Sequence, residues 1–79
     1  MTDTQIALGR VIKQLRQQRG VTQDELAGKA SLHRTYISDV ERGTRNLSLN
    51  SLHRISAALE TPLSEIFKQA QETINAGQA

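Results

Sequence analysis

Apolar residues in this chain recur at helical spacing and nowhere at strand spacing, and this limits the possible folds more than any other feature. Leu8, Val11, Ile12 and Leu15 stand at i, i+3, i+4 and i+7, which draws one stripe along an α-helix. No stretch alternates valine or isoleucine with polar residues, so no half-buried strand is expected. A chain patterned this way must bury helix faces against one another. The fold class is all-α.

Capping and breaking residues divide the pattern into five helices. The first spans about 4–19 and closes at Gly20, a residue suited to the left-handed position after a helix. The second starts at Thr22, a good cap, and Glu25 three residues on completes a capping box. Leu26, Ala27 and Ala30 form its apolar side, and Ala27 is small enough to admit another helix closely. The third covers about 33–42, buries Ile37 and Val40, and stops at Gly43. Ser48 caps a fourth helix carrying Leu52, Ile55 and Leu59. Thr61-Pro62 opens the fifth, with Thr61 as the cap and proline in the first turn. Leu63, Ile66, Phe67, Ala70 and Ile74 make its apolar side, and the tail 75–79 has nothing to bury.

Helices two and three are joined by only a few residues around Ser31-Leu32. A turn that short between brief amphipathic helices forces a steep crossing, the helix-turn-helix arrangement. Arg34, Thr35 and Asp39 then face outward because Ile37 and Val40 face in.

Size and charge narrow the function. Seventy-nine residues make a single domain over 1–79, ordered over about 4–74 and near the lower limit for a self-sufficient core. With no cysteine, neither a disulfide nor a thiolate metal site supplements that core. Such a chain often gains stability from a homodimer interface. Leu63, Ile66, Phe67, Ala70 and Ile74 exceed what one small core needs, so the fifth helix is the expected seam. No apolar run approaches the roughly 20 residues of a membrane span, and the charged N-terminus has no apolar leader segment. The chain is read as soluble, cytoplasmic and free of the membrane. Its net charge is only +2, but Arg34, Arg42, Arg45 and Arg54 cluster with His33 and His53 against only Asp39 and Glu41. A local basic cluster on a nearly neutral chain is the pattern of a docking face for a polyanion. Nothing points to catalysis, a metal or a cofactor: the histidines lie twenty residues apart without acidic partners at ligand spacing, and no cysteine nucleophile or glycine-rich phosphate loop is present.

The segment TQDELAGKASLHRTYISDVERG resembles the helix-turn-helix of the phage repressor and Cro family, with Thr-Gln, Leu-Ala, Ile-Ser and a Glu before Gly at fixed gaps. The resemblance covers roughly residues 5 to 68 and implies a five-helix, lambda-repressor-like DNA-binding domain with its motif at helices two and three. HRTYISDVERGTRNLSL is similar, more narrowly, to the controller proteins of restriction-modification systems, which are stand-alone dimeric regulators of about this length. Two residues depart from the wider pattern. Ser31 stands where glycine is usual, at a cost of roughly 1 kcal/mol if that position needs φ > 0. Asp39 places an acid on the DNA-facing helix, where it must accept from cytosine N4 or pair with an arginine.

The resemblance implies roles residue by residue. Gln23 would contact the DNA backbone. Arg34, Thr35 and Tyr36 would enter the major groove at the front of the recognition helix, with Arg34 bidentate to guanine and His33 beside them near phosphate. Arg42, Arg45 and Asn46 would follow the sugar-phosphate backbone, and Asp39 would lie among them. Arg16 and Glu41 would form a structural ion pair. The implied partners are a near-palindromic double-stranded operator upstream of the chain's own gene, a second copy of the chain, and RNA polymerase through Asp24 and Glu25, with no small-molecule ligand. Repression and activation both remain open. The alternative class is an antitoxin-type or other helical protein-interaction module, which would bind without regard to DNA sequence and carry a long partner-binding tail.

Overall fold

The computed structural model describes residues 2–77. Five helices follow one another: α1 Asp3–Gln18, α2 Gln23–Ala30, α3 Arg34–Arg42, α4 Leu49–Ala58 and α5 Leu63–Asn75, with no strand among the described residues. α1 packs on both α5 and α3, α2 on α3 and α4, and α4 on α5, so the last helix closes the bundle against the first. One core results. Leu8, Val11, Ile12 and Leu15 of α1 meet Leu26 and Ala27 of α2, Ile37 and Val40 of α3, Leu52, Ile55 and Leu59 at α4, and Ile66 and Ala70 of α5.

The starts of α1, α2 and α4 carry side-chain caps. Thr22 accepts from the Glu25 backbone N–H at 3.1 Å while the Glu25 carboxylate accepts from the Thr22 N–H at 2.9 Å. The Thr22 backbone N–H first, and its hydroxyl second, hold the Glu25 carboxyl below the usual carboxylate range. The contribution of this capping box is therefore present above the ordinary carboxylate pKa and fades as pH falls through the lowered value. Thr2 and Gln5 build the same box on α1. Ser48 caps α4 through the Ser51 N–H at 3.1 Å.

Helix ends follow a common geometry, in which a left-handed residue turns the chain and the next N–H reaches back five residues. Gly43 ends α3 at φ 77°, with Thr44 N–H donating to the Asp39 carbonyl at 3.0 Å. Ser31 does the same for α2 at φ 56°, and Glu60 for α4 at φ 52°. The departure seen at Ser31 is thus a real left-handed position occupied by a residue with a Cβ, and Glu60 is a second that its sequence context did not announce.

The start of α5 corrects an expectation. Thr61 does not cap it: its hydroxyl donates to the Leu59 carbonyl at 3.0 Å and is buried at the α4–α5 corner. Pro62 itself is the cap residue, extended at ψ 146°, and no side chain caps the helix. Two expected seam residues are also corrected. Ile66 and Ala70 are 0% and 4% exposed and belong to the core, because α5 turns that face onto α1. Of the tail 75–79, Asn75 still ends α5, and residues 78 and 79 lie outside the described residues.

α1 crosses α3 at contact distance. A Cβ on Gly9 would sit 2.2 Å from the Val40 carbonyl oxygen, so only glycine permits this approach. Beside it lies the Arg16–Glu41 pair. Arg16 Nε donates to Glu41 Oε2 at 2.6 Å and Nη2 to Oε1 at 3.0 Å, with the Glu41 side chain 3% exposed. Arg16 Nη1 also donates to the Val21 carbonyl at 2.9 Å, and Gln23 Nε2 to Glu41 Oε1 at 3.0 Å. The bond to Glu41 raises the Arg16 guanidinium above its already high value.

Removing one partner strands the other as a buried charge, which costs about 3–5 kcal/mol. Glu41→Ala should therefore lose most of the stability of a domain this size, measured by urea unfolding at fixed protein concentration. Replacing both partners with apolar residues (Arg16→Met with Glu41→Leu) should restore much of it. Ser31→Gly should raise stability by about 0.5–1 kcal/mol, since glycine reaches the left-handed region without a Cβ penalty; a neutral or destabilising result in the same unfolding assay would contradict this.

Candidate nucleic-acid interface

α2 and α3 are joined by Ser31, Leu32 and His33. Leu32 N–H donates to the Ala27 carbonyl at 2.9 Å, and the half-buried Leu32 side chain packs on the core. These contacts set the direction in which α3 leaves the turn. His33 is the α3 cap residue by backbone conformation but makes no side-chain cap bond. Its imidazole is exposed beside the first N–H groups of α3, which form an electropositive helix end.

α3 is strongly two-sided. Ile37 and Val40 are 0% and 2% exposed, whereas Arg34 and Thr35 lie in solvent at its first turn. The Arg34 guanidinium reaches no nearer than 4.0 Å to Asp24, both side chains being largely exposed, so it is free to move. Tyr36 is half-buried, its ring packed on the core. The Arg45 guanidinium carbon lies 4.9 Å from the centre of that ring, a cation–π distance.

Asp39 sits between two arginines. One oxygen accepts from Arg42 Nη2 and the other from Arg45 Nη2 at 3.4 Å. Arg42 Nη1 also reaches the Ser38 hydroxyl at 3.2 Å. The acid that looked out of place on this helix is thus paired within the chain. The loop 43–46 is further tied back by the Thr44 hydroxyl, which donates to the Asp39 carbonyl at 3.1 Å. Asn46 is exposed at the end of this loop and lines a shallow depression with Leu47 and the start of α1.

The structure thus gathers His33, Arg34, Thr35, Tyr36, Asp39, Arg42 and Arg45 along the outer side and trailing loop of one helix. Gln23 stands apart. It is half-buried, and its amide is engaged by Glu41, a tie that sequence reasoning missed because it joins residues eighteen apart. Among the described residues no three or more His, Cys, Asp or Glu side chains come together as a metal site would require. Exposed guanidiniums and hydroxyls at a helix front suit contact with phosphates and base edges rather than chemistry on a small molecule.

On α4 and α5, Phe67 is 43% exposed and Leu63 half-buried, while Leu49, which sequence reasoning passed over, is 77% exposed at the first turn of α4. Leu49, His53 and Ala57 follow at i, i+4 and i+8 on the outer side of α4. A shallow hollow lined by His53, Ala57, Pro62 and Leu63 links that side to the start of α5.

Comparison with known proteins agrees with this architecture. The family described as Helix-turn-helix matches residues 12–66. The chain is 47% identical over 55 residues to control protein C.BamHI of Bacillus amyloliquefaciens, spanning 68% of each chain. It is 40% identical over 73 residues to control protein C.MunI of a Mycoplasma species, spanning 91% of this chain and 99% of that one. The crystal structure of the wild-type restriction-modification controller protein C.Esp1396I superposes with a TM-score of 0.87 at 38% identity, covering 94% and 97% of the two chains. On its fold, its turn and these relatives, the chain belongs to the helix-turn-helix family of DNA-binding transcription regulators.

Proposed function

We propose that the chain is a homodimeric restriction-modification controller that binds a near-palindromic operator upstream of its own gene and sets transcription by occupancy. The observation that carries this reading is the exposed front of α3, where Thr35 stands in solvent and Arg34 makes only a long, exposed contact of 4.0 Å with Asp24. Match along nearly the full length of the control protein C.MunI supports the narrower assignment.

One recognition helix touches about four base pairs, too few for useful specificity in a genome. A dimer supplies two, set about 34 Å apart on one duplex face. The domain measures 32 × 22 × 21 Å, so two copies side by side suit that separation. Leu63 and Phe67 remain from the expected seam, and the exposed stripe of Leu49 and Ala57 on α4 extends it. Ile66 and Ala70 act from within the core by holding α5 in place. Arg34 reads a guanine edge, Thr35 a neighbouring base, and His33, Tyr36, Arg42, Arg45 and Asn46 lie along phosphates or groove walls. Gln23 reaches phosphate with the amide hydrogen that Glu41 leaves unused. Asp24 and Glu25, exposed on α2, offer an acidic surface to RNA polymerase and would make the regulator an activator from a suitably placed operator. Such a protein works in the cytoplasm. An interaction module of the antitoxin type is less well supported, since the full-length match is to a control protein.

Fluorescence anisotropy on the DNA immediately upstream of the gene tests the assignment of Arg34. Arg34→Ala should lower operator affinity by about 1–3 kcal/mol per half-site and flatten the preference over a shuffled duplex, with helical circular dichroism unchanged. A retained preference would remove Arg34 from the reading set. Phe67→Glu should shift the protein from dimer to monomer in sedimentation equilibrium, because it places a charge in the seam; an unchanged dimer would move the interface elsewhere.

A further inference from the structure

The geometry points to Asp39 as a specificity-determining residue: an internal counter-ion that competes with DNA phosphate for Arg42 and Arg45 and so weakens binding to duplexes that lack the operator sequence. This rests on the DNA-binding reading above and goes beyond it, because it assigns discrimination to a residue that need never touch a base.

Three observations carry it. Asp39 is the acceptor for both arginines at once, one on each carboxylate oxygen. Both guanidiniums are nonetheless accessible, Arg42 being 62% and Arg45 46% exposed, so they can leave the carboxylate without unfolding anything. Arg45 is also drawn back over the Tyr36 ring, and Thr44 ties its loop to the Asp39 carbonyl. The basic loop that flanks the recognition helix is therefore folded onto α3 and partly neutralised.

Non-specific binding depends almost entirely on phosphate contacts, and each neutralised phosphate contributes a slope of roughly −0.9 in log affinity against log salt. An arginine held by a carboxylate must break that pair before it meets phosphate, and exposed pairs of this kind are weak enough to be broken. On a random duplex nothing else repays the exchange. On an operator, seating Arg34 and Thr35 brings α3 and its loop against the backbone, and the phosphates can then displace Asp39. The acid thus lowers both affinities, but the random one more.

The test compares wild type, Asp39→Asn and the remote charge control Glu72→Gln on two probes: the DNA immediately upstream of the gene and a shuffled duplex of equal length and composition. Affinities are measured across a salt series. Asp39→Asn should bind the shuffled duplex about threefold to tenfold more tightly near 0.1 M salt, with its salt slope steeper by roughly 1–2. The upstream duplex should gain less, so the ratio between the two falls, whereas Glu72→Gln should leave the ratio unchanged. Equal gains on both probes, or the same gains from Glu72→Gln, would reduce the effect to net charge and overturn the inference. Weaker upstream binding with unchanged shuffled binding would make Asp39 a loop clamp alone and overturn it too. Failure of wild type to distinguish the probes would instead bring down the regulator reading itself, which separates the two failures.

Discussion

A single buried carboxylate determines where the recognition helix points. Glu41, in the last turn of α3, accepts from Arg16 of α1 through two nitrogens and from Gln23 at the start of α2, while Arg16 also holds the Val21 carbonyl in the α1–α2 link. Three helices and a connecting loop therefore meet at one charge, with no buried side-chain N or O atom left without a partner among the described residues. Apolar packing alone would tolerate some rotation of α3 about Ile37 and Val40. Directional hydrogen bonds to a desolvated carboxylate would not, because any rotation leaves a lone pair or an N–H unpaired in a low-dielectric site.

Close approach reinforces this constraint. Gly9 lets α1 lie against the Val40 carbonyl, and Gly43 turns the chain away from α3 where a Cβ would come within 3.1 Å of the Ile6 Cα. The rear of α3 is thus clasped by α1 over its second half, while Arg34 and Thr35 at its front stay in solvent. Glu41, seven residues on from Arg34, is among the most buried charged groups. Rigid support and a free front are what a reading head requires, since contacts to base edges gain specificity only when their positions are held.

The sequence made the helices legible because their ends carry chemistry that acts over three or four residues. Thr22 with Glu25, Ser48, and glycine at 20 and 43 could be placed by inspection. Thr61 misled for the same reason: its hydroxyl looks like a cap, yet at the corner it found the Leu59 carbonyl first. Longer-range facts were hidden. The side of α5 that faces α1 cannot be told from the side that faces out by apolar content alone, so Ile66 and Phe67 looked alike although one is buried and the other exposed. Gln23 bonds a residue eighteen positions away, and Asp39 finds one of its arginines across the α3 turn. Gly9 lies in mid-helix, where glycine costs about 1 kcal/mol relative to alanine, and that local penalty was its one visible trace.

The proposed function requires two copies of α3 lying in successive major grooves on one side of the same duplex. Hydroxyl-radical footprinting of the wild-type protein on the DNA preceding its gene addresses this most directly. Two protected patches of similar strength are expected, separated by about 10 base pairs and confined to one helical face. A single short patch, or uniform protection that drifts with sequence as salt is lowered, would contradict it.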